Sequence, residues 1–231
     1  VFEHEPTFSI IVPLFNTPLH FLKDMVGSVK DQTYAKWELV LVNASPENTE
    51  LAEAVNDYAK RDARIVVETV HENLGISGNT NAGIAVAKGD FISFFDHDDI
   101  LEPNLLFHYV EAINERVDTD LLYCDEDKLM PDGVYAQPFF KPDFNLDLLR
   151  NNNYICHMLT IRKTLLKTLE PNTKEFDGAQ DHNMTLQAIE HARHVAHIPR
   201  ILYHWRLSGQ QAIRFAGGYS LRTGTSRSAR Y

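Results

Sequence analysis

The chain has 231 residues, 44% of them hydrophobic, enough for a sizeable core in one domain or one domain with a lobe. A formal net charge of -10 argues against a general nucleic-acid binder, though not against a local basic patch for phosphates. No apolar run approaches the roughly 18 residues that span a bilayer, and no signal peptide opens the chain. Cys124 and Cys156 lie far apart and match no metal spacing, so a reduced intracellular compartment is expected rather than a disulfide framework. The first residue is Val1 rather than a start methionine, which leads to the expectation of a piece of a longer protein.

Phe8–Leu14 reads as a strand, and Asn16-Thr17-Pro18 starts a helix to about Asp31. Thr17 is its candidate N-cap, Pro18 its first helical residue, and Leu19, Leu22, Val26 and Val29 its apolar stripe. A second strand is expected over Trp37–Val42, a second helix over Pro46–Lys60, and a third strand over Arg64–Glu68. A glycine-bearing loop, Asn73 to Gly78, then leads into a helix over 79–87. Strands alternating with helices at this spacing imply a parallel sheet with right-handed crossovers. No G-x-G-x-x-G follows the first strand, which sets aside a dinucleotide-binding reading.

The next strand, Phe91-Ile-Ser-Phe-Phe95, breaks off into Asp96-His97-Asp98-Asp99. Buried strands of an α/β sheet deliver their last residues to the crevice where ligands bind. Carboxylates packed there repel one another unless a cation lies between them, and hard oxygen ligands suit Mg²⁺ or Mn²⁺. A solvated acidic turn capping the helix from Pro103 is the alternative. That helix runs to Arg116 and is followed by a strand, Asp120–Cys124, ending in Asp125-Glu126-Asp127. An aromatic, proline-containing segment over 137–144, a strand-like run over 157–161, a helix over 180–190 and a last strand-like run, Arg200–Arg206, complete the pattern. The tail from about 215 is rich in Gly, Ser, Thr and Arg and is expected to be loose.

Several of these pieces resemble glycosyltransferase family 2, the inverting sugar transferases of the GT-A fold. Pro13-Leu-Phe-Asn-Thr17 is similar to the family's first-strand nucleotide loop, and Asn73 to Gly83 to its Asn-x-Gly…Asn-x-Gly segment. Asp96-His97-Asp98 is similar to its D-x-D metal motif, and Gly178-Ala-Gln180-Asp181 to the segment that carries the catalytic base. Tyr203-His204-Trp205-Arg206 is similar to the closing motif of bacterial polysaccharide and O-antigen members. Tyr123 to Lys128 and Phe140-Lys-Pro-Asp143 also resemble that branch, which includes rhamnosyltransferase-like proteins. The match runs from about Phe8 to Arg206. It departs from the pattern at Asn43-Ala44-Ser45, where the family usually has paired acids, and at Thr80, where it usually has an arginine.

The resemblance implies an α/β GT-A domain over 1–214: a mostly parallel central sheet flanked by helices, with a smaller acceptor-side lobe. The nucleotide-binding half would span about 8–99 and the acceptor-side half about 100–214. Pro13, Phe15, Asn16, Asn43 and Ser45 would line the nucleoside pocket, and Asn73, Gly75 and Asn79 would approach the nucleotide. Phe15 reads equally well as core, Gly75 as a turn glycine, and Asn79 as a helix cap. Asp98 would hold the metal with His204 as second ligand, while Asp96 would touch the ribose or a metal-bound water. Asp181 would be the general base, unless it is only a helix-start acid. Gln180, His182, Trp205 and Arg206 would stand around the acceptor.

The expected partners are a nucleoside-diphosphate sugar, with UDP or dTDP as carrier, and a glycan or lipid-linked acceptor. No nucleic acid is expected. The place of work is the cytoplasm, with peripheral contact at the inner face of the plasma membrane and further domains in a longer chain. A metal-dependent inverting transferase building a bacterial surface glycan is the first reading. A non-catalytic nucleotide-sugar binding scaffold within a polysaccharide assembly protein is the alternative. A sugar nucleotidyltransferase ranks last, because the basic glycine-rich loop of that class is missing.

Overall fold

The computed structural model describes residues 2–207. The tail expected to be loose lies outside them. The strands are β1 (Phe8–Leu14), β2 (Trp37–Asn43), β3 (Ile65–Thr69), β4 (Phe91–Phe94), β5 (Ile100–Leu101), β6 (Thr119–Leu129), β7 (Tyr135–Phe139), β8 (Thr160–Arg162) and β9 (His194–Arg206). The helices are α1 (Leu19–Lys30), α2 (Thr49–Arg61), α3 (Gly75–Val86), α4 (Leu105–Glu115), α5 (Leu146–Asn151), α6 (Lys163–Leu166) and α7 (Gln180–His191).

One sheet runs through both halves in the order β3-β2-β1-β4-β8-β6-β9-β5, with β7 pairing the far end of β6, beyond β8. The block from β3 to β4 is parallel, as the strand–helix alternation implies. Beyond β4 the sheet is mixed: β8 runs antiparallel to β4 and β6, whereas β6 and β9 are parallel. The apolar strand runs are buried on both faces. One cluster packs Phe8, Ile10, Leu39 and Phe91 against Leu22, Val26, Leu105 and Tyr109. The other packs Ile11, Val40, Ile92 and Ile161 near Met184 and Ala188. Two-sided burial of this kind is why these strands read as continuous apolar runs rather than alternating ones.

Several element boundaries differ from expectation. Pro18, not Thr17, takes the cap position of α1, and the Thr17 hydroxyl is buried with no partner among the described residues. Leu19, expected on the apolar stripe, stays exposed, and Met25 is buried in the stripe. Helix α2 starts at Thr49 because the Asn48 side chain accepts from the Leu51 amide. Helix α3 starts four residues before Asn79, so the glycine-bearing loop is partly its first turn. The largest difference is β6, which continues through Asp125, Glu126, Asp127 and Lys128 with all four buried. A run of charges reads as a strand end because burying a charge unpaired is costly. Here Asp125, Glu126 and Asp127 meet His197, Lys141 and His204 across the fold, and Lys128 pairs with Glu126 on the same strand.

Candidate active site

The acidic turn follows β4 at the carboxyl end of the parallel block, where the Phe95 amide donates to the Ile11 carbonyl of β1. Loops after β1 and β2 meet beside it. The Asn16 amide donates to Ser45 Oγ at 2.8 Å, and the Ser45 amide donates to Asn43 Oδ1 at 3.0 Å. Asn16 adopts φ 48°, a left-handed conformation that asparagine tolerates better than most residues. These bonds tie the two loops together, and Phe15 beside them is half exposed, so it is not a core residue.

Asn73 and Asn79 likewise build their own loop. Asn73 Oδ1 accepts from the Gly75 amide at 3.0 Å and from Asn79 Nδ2 at 2.9 Å, and Asn79 Oδ1 accepts from the Leu74 amide. Gly75 has φ 75°, and a Cβ there would stand 2.6 Å from Asp177 Oδ2. Asp177 comes from the segment just before Asp181, and its Oδ1 accepts from the Ser77 amide in the first turn of α3. The glycine therefore permits a close approach between the two halves.

Asp181 lies in the first turn of α7. It lines a cavity of about 90 Å³ together with Pro13, Thr80, Asp96, Cys156, His157 and Gln180. Four of the expected site residues, Pro13, Asp96, Gln180 and Asp181, thus come to one cavity, from three distant parts of the chain. Gln180 also lines it while its Oε1 accepts from the Gly178 amide. Asp181 Oδ2 accepts from Asn153 Nδ2 at 2.7 Å and faces the Cys156 thiol at 3.6 Å.

Asp96, Asp99 and His157 converge, with one ligand atom of each within 4.8 Å of the others. His157 Nε2 is 3.5 Å from Asp96 Oδ2, and Nδ1 is 3.2 Å from Glu126 Oε2. Its ring stacks on Tyr203 with centroids 4.5 Å apart. Burial alone would lower the His157 pKa, but Cys156, Asp96 and Glu126 raise it well above the ordinary value. Burial, joined by the charges of Asp96 and Asp98, pushes Asp99 up to about 8 against the opposing effects of His157 and Tyr203. Asp99 Oδ2 accepts from the Tyr203 hydroxyl and Oδ1 from the Arg206 amide, so Asp96 and His157 are the less committed members of the set. Two carboxylates and an imidazole suit a divalent ion such as Mn²⁺ or Mg²⁺. The contact between Glu126 and His157 Nδ1 is an outer-shell arrangement that turns Nε2 toward Asp96 and the Cys156 thiol, each 3.5 Å away.

This arrangement differs from the expected metal set. His204 does not join the cluster: its Nδ1 is 2.6 Å from Asp127 and its Nε2 is 3.0 Å from Glu102, so both ring nitrogens are engaged on the β5 side of the sheet. The Asp98 carboxylate is not among the converging groups, although its backbone carbonyl accepts from Arg206 Nε at 2.6 Å. Arg206 braces the acidic turn and pairs with the surface acid Asp24. His182 Nε2 lies 2.7 Å from the Leu149 carbonyl and fastens α7 to α5. Trp205 is covered by the Lys128 ammonium, 3.6 Å from the ring centroid, whereas Phe140 is exposed.

Sequence reasoning missed His157, Glu126 and Lys141. Buried Lys141 donates to Glu126 Oε2 at 3.0 Å and to the carbonyls of Ile155 and His157, pinning the segment before β8. His157, Lys141 and Lys128 together outweigh burial and hold the Glu126 carboxyl far below its usual range. The available signal was Lys141 inside an aromatic run and His157 at the head of an apolar one, whereas Glu126 between Asp125 and Asp127 carried none.

Residues 9–169 match the family model described as Glycosyl transferase family 2. The chain is 36% identical over 216 residues to the O-antigen biosynthesis protein RfbC of Myxococcus xanthus, covering 93% of this chain and 17% of that protein. It is also 36% identical over 206 residues to the uncharacterized protein y4gI of Sinorhizobium fredii, covering 88% of this chain and 23% of that one. The chain thus spans about a fifth of the length of these two relatives. Among solved structures, S. aureus TarS 1-349 in complex with UDP superposes with a TM-score of 0.72 at 23% identity, covering 90% of this chain and 62% of that one. The mannosyltransferase PcManGT of Pyrobaculum calidifontis, in complex with GDP-Man and Mn²⁺, gives 0.69 at 16% identity, covering 97% and 67%. The fold is GT-A, and the chain belongs to glycosyltransferase family 2.

Proposed function

We propose that this domain is a metal-dependent inverting glycosyltransferase that moves a sugar from a nucleoside-diphosphate donor to a hydroxyl of a growing bacterial surface glycan. The observation that carries the reading is the shared cavity: Asp96, at the end of β4, and Asp181, at the start of α7, line the same space. One side of that space suits a phosphate-bound cation and the other a proton acceptor. The cation's contribution when bound is electrostatic, offsetting charge that develops on the departing diphosphate.

Asp96 and His157 are the proposed ion-facing pair, with His157 in the place expected for His204. Asp98 on the same turn remains a proposed ligand. Pro13, Phe15, Asn16, Asn43 and Ser45 are proposed to receive the nucleoside. Asp181 takes the proton of the acceptor hydroxyl, and attack from its side inverts the anomeric carbon. The carrier is proposed to be UDP or dTDP. TarS was crystallised with UDP and with UDP-GlcNAc, which supports a nucleotide-sugar donor in general.

The acceptor is proposed to be a glycan or a lipid-linked glycan at the cytoplasmic face of the membrane. No helix among the described residues is long and apolar enough to cross a membrane. Residues 1–214 are proposed as a single transferase unit within a longer polypeptide.

The test is a panel of UDP-, dTDP- and GDP-sugars assayed with Mn²⁺ or Mg²⁺ and a set of glycan acceptors. Asp181→Asn is expected to lower transfer by about 10²–10⁴-fold. Its affinity for the nucleotide diphosphate, measured calorimetrically, should stay within twofold (roughly 0.4 kcal/mol) of the unaltered chain. Full transfer by Asp181→Asn would remove the base assignment. Nucleotide binding with no turnover across the whole panel would favour a scaffold, a reading motivated by Asn43 standing where the family usually has an acid.

A further inference from the structure

We propose that Asn153 is the positioning residue for the Asp181 carboxylate. The inference rests on Asp181 being the base and adds how that base is aimed. A carboxylate at a helix start rotates freely about its last torsion unless something holds one oxygen. Here Asn153 Nδ2 donates to Oδ2 at 2.7 Å, with the Cys156 thiol 3.6 Å from the same oxygen. Among the described residues Oδ1 receives no donor, so one oxygen is anchored and the other is left for an incoming hydroxyl.

The anchor is itself held. Asn153 Oδ1 accepts from the Cys156 amide at 3.4 Å, closing a tight turn in which Cys156 adopts φ 36°. Lys141 Nζ donates to the Ile155 and His157 carbonyls at 2.7 and 2.6 Å, fixing the far side of that turn from a buried position. The segment 153–157 therefore sets the base with its first residue and faces the acidic turn with its last. Small displacements of a reacting group cost large factors in rate, so a segment that fixes both ends acts on the rate through geometry.

Two substitutions separate the amide donor from the turn it helps build. Asn153→Ala removes both the donor and the acceptor. Asn153→Asp is nearly isosteric and keeps an oxygen for the Cys156 amide, but turns an acceptor toward Asp181 Oδ2. Steady-state transfer would be measured with the nucleotide-sugar that supports turnover, and binding with UDP and Mn²⁺ by calorimetry. The expected result is a fall in kcat of about tenfold or more in both variants, larger in Asn153→Asp because adjacent carboxylates compete for one proton. Donor KM and UDP affinity should stay within about twofold, as expected when only a transition-state interaction is lost.

Wild-type kcat in Asn153→Asp, with Asp181→Asn inactive, would overturn the positioning role and leave the base assignment standing. Activity in Asp181→Asn would instead remove the base and this inference with it. A loss appearing in donor KM or UDP affinity rather than in kcat would mark Asn153 as a structural residue and overturn the proposal. In an Asp181→Asn background Asn153→Ala should cause no further loss, and a fully multiplicative loss would also overturn it.

Discussion

Between β1 and α3, the asparagines of the loops bond mostly within their own loop. Asn43 accepts from Ser45, two residues on, Asn48 from Leu51, three on, and Asn73 from Gly75 and Asn79. Between β6 and β9 the reach is long. Glu126 meets Lys141 and His157, 15 and 31 residues away, and Asp127 meets His204, 77 away. The first set shapes loops from within and leaves a crevice at the strand ends. The second set stitches separate segments together with buried charges, and holds the imidazole and the proposed base against that crevice. Local bonds specify a loop almost independently of the rest of the fold. Buried charge pairs exist only once the fold has closed around them.

Substitutions at three positions test this contrast. Lys141→Met should have the largest effect on stability, about 3 kcal/mol, because it strands Glu126 and two carbonyls that Lys141 now satisfies. That figure is at the low end for a broken buried pair, since Lys128 and His157 remain beside Glu126. Urea unfolding would measure it, and a change below about 1 kcal/mol would show that the buried network is dispensable.

Gly83→Ala should cost about 2 kcal/mol by overpacking, because its Cβ would stand 2.5 Å from Ile11 Cγ2 and 2.9 Å from Val42 Cγ2. The same unfolding curves would report it, and an unchanged midpoint would mean that α3 does not pack so tightly on the sheet. Asn73→Ala should cost about 1 kcal/mol, the ordinary worth of a local side-chain bond. A loss as large as that of Lys141→Met would erase the distinction between the two regions.

Much of the fold was legible because its signals are short-ranged. The run Phe8–Leu14 and the spacing of Leu22, Val26 and Val29 need only a window of residues to identify a buried strand and an amphipathic helix. Asp96 and Asp181 were legible through motifs, and both line the cavity. Phe15 was left open between core and crevice, and its exposure sets aside the core reading. The end of β6 was misplaced because Asp125 to Lys128 look like surface until their partners are known. His204 drew attention as a late histidine beside Trp205 and Arg206, yet Asp127 and Glu102 occupy both of its nitrogens.

The sequence by itself determined the strand–helix alternation of the first half, the acidic turn after β4 and the family to which the chain belongs. Each of these is written in contiguous residues, where apolar period and turn chemistry act over a few positions. Only the tertiary structure decided that His157 rather than His204 faces Asp96, and that Asn153 holds Asp181. Those pairings join segments 28 and more residues apart. Which charge finds which partner depends on how the mixed half of the sheet threads β8 between β4 and β6, and no local window contains that information.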